Sequence, residues 1–198
     1  MRSAHPDKAP GKERYALRFS IQRFRKASST NTMACRRASE GASEGLVLVA
    51  DYQTEGRGKP GRKWISPSGK NLLFSLLLRP PIMARQAPLL TQVACRSVAS
   101  VLRRKYGIAS TFKRPNDILV HGKKICGILV ESSSRPSGRL ESAVIGIGLN
   151  VNAGFRELIP DAISMKALKN REYNRQKLLK EMLTQLKRDL KGLYARPA

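Results

Sequence analysis

The sequence predicts an α+β fold: a mixed, largely antiparallel central sheet flanked by helices. Three observations carry that expectation. Helical periodicity lies toward the two ends of the chain, around a block of short strand-like runs. Several connections inside that block are of hairpin length, whereas a parallel crossover needs a dozen or more residues. A chain of 198 residues, 41% of them hydrophobic, can also bury one good core.

Residues 1–14 mix Pro, Gly, Lys and Ser without apolar periodicity and read as a mobile basic arm. The arm lacks the apolar core of a secretory signal. Asp7 and Glu13 argue against a transit peptide, although the Arg-rich stretch to Arg37 leaves an organelle address open. Residues 15–198 read as one domain. Tyr15, Leu17, Phe19 and Ile21 alternate with polar residues and predict a half-buried strand to Phe24. Ser28, Ser29 and Thr30 offer N-caps for a helix that Gly41 ends. LVLVA at 46–50 is a buried strand by composition. Gly56, Gly58, Pro60, Gly61, Pro67 and Gly69 make 53–71 a long loop, and loops of that length in compact domains are usually functional.

A strand at Leu72–Leu78 stops at Pro80 and Pro81. Leu89, Leu90, Val93, Ala94, Val98, Val101 and Leu102 recur at helical spacing up to Tyr106, with Arg103, Arg104 and Lys105 at the negative end of the dipole and Gly107 as the cap. Strands follow to Lys113, over Ile118–Val120, after a His121-Gly122 turn over Ile125–Val130, and, past the polar stretch SSSRPSG, over Leu140–Asn150. Leu178, Leu179, Met182, Leu183, Leu186, Leu190 and Leu193 mark a closing amphipathic helix.

Charge is the compositional anomaly: 38 Lys and Arg against 14 Asp and Glu give a formal net charge of +24. An anionic partner is favoured. No apolar run approaches the roughly 20 residues of a membrane-spanning helix. Cys35, Cys95 and Cys126 are odd in number and widely spaced, which argues against a disulfide framework or structural zinc and for a reducing compartment.

Three segments carry chemistry. Gly56, Gly58 and Gly61 satisfy a G-x-G-x-x-G pattern, but no helix follows and no acid lies at the spacing that a dinucleotide fold requires. A Walker A loop fails because Arg62 and Lys63 stand where Lys and Ser or Thr belong. What remains is a glycine-rich loop with Arg57, Lys59, Arg62 and Lys63 interleaved, suited to folding over an anion; taken alone it reads equally as a solvated basic loop. In KRPNDILVHGKKICGILVE, Pro115 pushes Arg114 out of helical geometry, so Asn116 and Asp117 stand at the mouth of a hairpin whose return strand carries Lys124. A Lys beside that pair suits a carboxylate or phosphate, with the Asp orienting the Lys or holding a second cation. Alone, an Asx turn with a solvated Lys is the plainer interpretation. In VIGIGLNVN, Gly146 and Gly148 weaken a strand, which signals close approach of a ligand or backbone, or else a β-bulge; Asn150 offers its amide to a heterocycle. His121 reads as a solvated turn residue and Cys126 as a small core residue.

In the order SSTN, DYQTEGRGKPGRKW, KRPNDIL, GKKICGILVE and VIGIGLNVN, residues 15–195 resemble the catalytic domain of biotin protein ligase. The resemblance implies the class II synthetase-like fold of biotin and lipoate ligases, with biotin and ATP over one sheet face. It implies biotin contacts from Ser29, Thr30, Asn31, Gln53, Gly56, Arg57, Lys124, Gly127 and Gly146, and adenylate contacts from Lys59, Arg62, Trp64, Asn116, Asp117 and Asn150. Lys124 and Arg57 take the catalytic roles, and Mg²⁺ accompanies ATP without a dedicated metal site. The implied reaction forms biotinyl-AMP and then biotinylates a lysine of a biotin carboxyl carrier domain in the cytoplasm. No membrane and no specific DNA binding are expected, and a homodimer stays open.

Arg114 stands where the family has Trp, and Lys59 where it has the second Arg of its loop. A chain ending at Ala198 is expected to lack an SH3-like C-terminal domain, and the residues before Ser29 leave no room for a winged helix. Two alternatives compete. A lipoate ligase or lipoyl transferase shares the fold, but its Arg-Arg and Gly-Gly-Gly stretch before a His-Asp pair is missing. A basic RNA-binding protein would suit the charge, but only 6% of residues are aromatic and base recognition on single strands leans on stacking.

Overall fold

A computed structural model describes residues 17–194, so the arm expected at 1–14 lies outside the described residues. The strands β1 (Ser20–Ala27), β2 (Leu46–Gln53), β3 (Leu72–Leu78), β4 (Thr111–Lys113), β5 (Asp117–Val120), β6 (Lys123–Ser134) and β7 (Leu140–Leu149) form one sheet. Its order is β1-β2-β3-β7-β6-β5-β4. The helices are α1 (Thr30–Ser39), α2 (Pro88–Tyr106), α3 (Met165–Lys169) and α4 (Arg175–Tyr194). The crossover through α1 makes β1 and β2 parallel, and every other pairing is antiparallel. The expected mixed, largely antiparallel α+β architecture is thus the observed one.

Three strands, β1, β2 and β6, depart from expectation, β2 by running past Ala50 to Gln53. The apolar alternation from Tyr15 predicts a strand ending at Phe24, yet β1 begins at Ser20 and runs to Ala27. Pairing decides this: Ser20 faces Leu46 and Ala27 faces Gln53, so β1 follows β2 rather than its own pattern. Leu17 enters the core ahead of the strand, while Ile21 stays 38% exposed. An outer strand carrying Arg23, Arg25 and Lys26 resists edge-to-edge pairing. At the other side β6 continues past Val130 through Ser132–Ser134, which composition placed in a loop. Cross-strand pairing with Ala143, Ser142 and Leu140 extends it, and the Ser133 and Ser142 hydroxyls lie 2.8 Å apart.

The two faces of the sheet are filled differently. Leu72, Phe74, Leu76 and Leu78 of β3 alternate onto the face covered by α2 and α4, where Leu178, Leu179, Met182, Leu183, Leu186 and Leu190 form a buried stripe. Leu77, Leu48 and Val144 point the other way, against Ala34 and Ala38 of α1. At 10 residues α1 is about 15 Å long and covers only one end of that face. The uncovered remainder is where the site forms.

Candidate functional site

On the open face, register lines up small residues across the sheet. Gly127 of β6 pairs with Gly148 of β7, which pairs with Leu73 of β3; one row along, Leu129, Gly146 and Ser75 align. The ladder with β3 runs through both glycines without a register shift, so they mark no bulge. Their reason is close approach, and side chains make it. A Cβ at Gly148 would lie 2.5 Å from the Trp64 indole, one at Gly127 2.8 Å from the same ring, and one at Gly146 2.0 Å from Asn31 Oδ1.

These glycines floor a cavity of about 590 Å³. One end is a buried polar cluster. Ser29 caps α1, accepting from Thr32 N at 3.4 Å. The Thr30 backbone N–H and hydroxyl both donate to Gln53 Oε1, at 2.7 and 3.0 Å, and the Ser75 hydroxyl lies 2.6 Å from Asn31 Oδ1. The STN segment and the end of β2, far apart in sequence, are thus one hydrogen-bonded unit.

The other end carries charge, and a bulge makes it. β5 and β6 pair Ile118 with Cys126 but Leu119 with Lys124, so Ile125 is an extra residue. Ile125 and Cys126 therefore both enter the core, and Lys124, on the face of Asp117, shares that face with Gly127, where simple alternation along β6 would put the two on opposite faces. Lys124 Nζ sits 2.7 Å from Asp117 Oδ1 and 5.4 Å from the Trp64 ring centroid. Its backbone is pinned as well: Lys124 N donates to Asp161 O at 2.7 Å, and Ile163 N donates to Lys124 O at 2.9 Å. Asn116 Nδ2 donates to Ile128 O at 2.6 Å. Three buried polar atoms, Trp64 Nε1, Asn116 Oδ1 and Asp117 Oδ1, have no hydrogen-bond partner among the described residues, the last being held only by its ion pair with Lys124.

The loop expected over 53–71 folds down as a small hairpin. Gly58 N donates to Arg62 O and Trp64 N to Gly56 O, each at 2.9 Å, and Arg57 bridges Lys63. Arg57 Nη1 lies 2.9 Å from Glu131 Oε1, and Glu131 Oε2 accepts from Asn31 Nδ2 at 2.9 Å.

Ser29, Thr30, Asn31, Gln53, Arg57, Lys59, Arg62, Trp64, Asn116, Asp117, Lys124, Gly127 and Gly146 all line the cavity, with Lys63, Lys113 and Arg114 beside them. Gly56 and Asn150 stand apart from it. A Cβ at Gly56 would sit 2.3 Å from Trp64 O, so this glycine lets the loop close on itself. Asn150 is buried behind the wall, where its Nδ2 donates to Lys124 O at 3.4 Å and its Oδ1 accepts from Asn71 at 3.3 Å. Sequence reasoning missed Glu131, Ser75 and the strap at 159–162. Ser75 is a polar residue inside an otherwise apolar strand, and that is the available signal; Glu131 follows the apolar run 125–130 and carries none, although it lies inside β6.

The cysteines contribute no nucleophile. All three are free; burial pushes the Cys126 thiol well up, and burial aided by Asp117 pushes Cys95 to about 12. Among the described residues no cluster of three His, Cys, Asp or Glu side chains forms a metal site, and no helix is long and apolar enough to cross a membrane.

Comparison with known proteins adds an independent line. Residues 24–150 match the pattern of the biotin/lipoate A/B protein ligase family. Over 125 residues the chain is 44% identical to the bifunctional ligase/repressor BirA of Bacillus subtilis, covering 63% of this chain and 38% of that one. It is 38% identical over 128 residues to the biotin--[acetyl-CoA-carboxylase] ligase of Paracoccus denitrificans, covering 64% and 52% respectively. Among solved structures, the biotin protein ligase of Aquifex aeolicus in complex with biotin and ATP superimposes with a TM-score of 0.75 at 32% identity, over 89% of this chain and 72% of that one. The chain thus spans less than two fifths of the length of the bacterial ligase/repressor and about half that of the Paracoccus enzyme.

Proposed function

The chain belongs to the biotin/lipoate A/B protein ligase family, and we propose that it activates biotin with ATP and transfers it to a lysine of a biotin carboxyl carrier domain. The observation that carries this is Lys124, raised by the bulge onto the glycine floor, held by Asp117 at 2.7 Å and overhung by a basic loop. Two anions, a carboxylate and a triphosphate, have to meet before they react. Fixed cations in a covered site offset their repulsion and the charge that develops on the phosphate. The polar cluster of Ser29, Thr30, Asn31 and Gln53 suits the ureido ring, and Gly127 and Gly146 let Trp64 and Asn31 seat close to the sheet beside it. Lys124 stands toward the carboxylate and α-phosphate. Arg57, Lys59 and Arg62 lie over the adenylate, and Trp64 Nε1 and Asn116 Oδ1 are a donor and an acceptor awaiting a ligand. Asn150 and Gly56 support rather than touch: one steadies the Lys124 backbone, the other closes the loop.

The biotin carboxylate attacks the α-phosphate, forming the mixed anhydride biotinyl-AMP and releasing pyrophosphate. The acceptor amine then attacks the anhydride carbonyl and AMP departs. Mg²⁺ suits this site as the ATP complex, held chiefly by phosphates and water, since Asp117 is already engaged by Lys124. Three free thiols suit the cytoplasm.

The test is exchange of label between pyrophosphate and ATP. Exchange should require biotin and magnesium and should not occur with lipoate. Folded protein that shows none would sink the proposal.

A further inference from the structure

Glu131 takes no part in the chemistry just proposed, yet it joins three elements. It stands on β6 behind Arg57, outside the cavity lining. Its carboxylate receives Arg57 Nη1 of the loop at 2.9 and 3.2 Å and Asn31 Nδ2 of α1 at 2.9 Å. Asn31 is itself fixed by Ser75 at 2.6 Å and packed on Gly146. The loop's own hydrogen bonds close it into a hairpin but do not tether that hairpin to the body. Among the described residues, segment 57–63 reaches the rest of the molecule by polar contact only through Arg57, to Glu131 and, at 3.5 Å, to Thr32. Lys59, Arg62 and Lys63 meet no acid within ion-pair distance among the described residues.

We propose that Glu131 is a positioning residue, a latch that holds the glycine-rich loop over the cavity through Arg57. Resting on the ligase function above, the latch sets how long the acyl adenylate is retained before an acceptor arrives. Arg57 can serve both ends. Nη1 is committed to Glu131, and the remaining guanidinium N–H groups are left for an anion in the cavity, which Arg57 lines. Because Asn31 shares the carboxylate, the loop is referenced to the polar end of the cavity rather than to solvent.

The pair is partly exposed, so its release should change loop opening by about three- to fivefold, within the range such pairs supply. The first experiment needs no substrate. Parent, Glu131→Ala and Glu131→Gln are digested with trypsin, and cleavage after Arg57, Arg62 and Lys63 is timed by mass spectrometry, with cleavage after Lys187 in α4 as the folding control. Glu131→Ala should speed loop cleavage about three- to fivefold and leave the α4 rate unchanged. Glu131→Gln, which keeps an acceptor for Asn31 without the charge, should fall between. Equal loop cleavage in all three, or a parallel rise in α4, would overturn the latch. The second experiment forms labelled adenylate, chases with unlabelled biotin and follows release. Glu131→Ala should release it faster by a similar factor, and release at the parent rate would overturn the retention role. A parent without biotin-dependent exchange would instead overturn the ligase function and leave the tryptic result to judge the tether alone.

Discussion

Lys124 owes its place to Ile125, a core residue that enters β6 as an extra position. Without Ile125 as an extra residue in β6, strict alternation would put Lys124 and Gly127 on opposite faces, because they are three positions apart. On the proposed function, Lys124→Ala would remove the cation set between carboxylate and phosphate and should slow adenylation by about 2 kcal/mol of barrier or more, as loss of an oxyanion donor does. The fold should survive, since Lys124 is pinned through its backbone, which the substitution keeps. Single-turnover formation of biotinyl-AMP beside a melting curve checks both halves; adenylation at the parent rate would remove Lys124 from the chemistry. Gly146→Ala tests the floor. Its new methyl would sit 2.0 Å from Asn31 Oδ1, so the Asn31 amide must leave its Ser75 and Glu131 partners or the backbone must shift, at a cost of about 1–3 kcal/mol in stability. Biotin affinity should fall with it, as titration calorimetry would read. The Lys124–Asp117 pair was legible because a His-Gly turn forces the two strands to face each other. The bulge was not, since Ile125-Cys126 reads as ordinary core, and neither was Glu131, because an acid after an apolar run looks solvated until its partners are seen.

The glycine-rich loop behaves as one element, and its outline was legible for a simple reason: six glycines and prolines within 56–69 leave no regular structure to propose. Its internal hairpin was not, because Gly58–Arg62 and Gly56–Trp64 pairing depends on backbone contacts that carry no side-chain pattern. The same distinction explains β1. Its alternation is real, but pairing with β2 rather than hydrophobicity decides where the strand starts. Within the loop, Lys59 lines the cavity where the resemblance expects Arg. An Arg fork can bridge a phosphate and neighbouring carbonyls, whereas a Lys supplies one mobile, strongly hydrated charge. Lys59→Arg should therefore slow escape of the adenylate, and Lys59→Gly should speed it and raise untargeted labelling of bystander lysines. A chase with unlabelled biotin measures both, and identical rates for parent and variants would show that position 59 takes no part in closure.

The whole molecule carries +24, and the cavity concentrates that excess. Arg57, Lys59, Arg62, Lys63, Lys113, Arg114 and Lys124 line it against two acids, Asp117 and Asp161, of which Asp117 is spent on Lys124. Two small anionic substrates in a covered cavity would feel these charges at short range, where salt screens little. In the proposed reaction a carrier domain would dock from outside, so its approach would be governed by the field beyond the cavity mouth, which extends only about one Debye length. An acidic acceptor should therefore be steered to this face, and steering of that kind changes association rates by about tenfold or more. Raising ionic strength from about 0.01 to 0.1 M shortens the Debye length from about 30 to about 10 Å. Over that range kcat/KM for an acidic carrier domain in the transfer step should fall by about tenfold, while adenylation of saturating biotin and ATP changes much less. Transfer to a free lysine analogue, which carries no acidic surface, serves as the control and should follow adenylation rather than carrier transfer. Equal salt dependence for all three would mean that the basic surface does not guide the acceptor, and the charge would then need another partner.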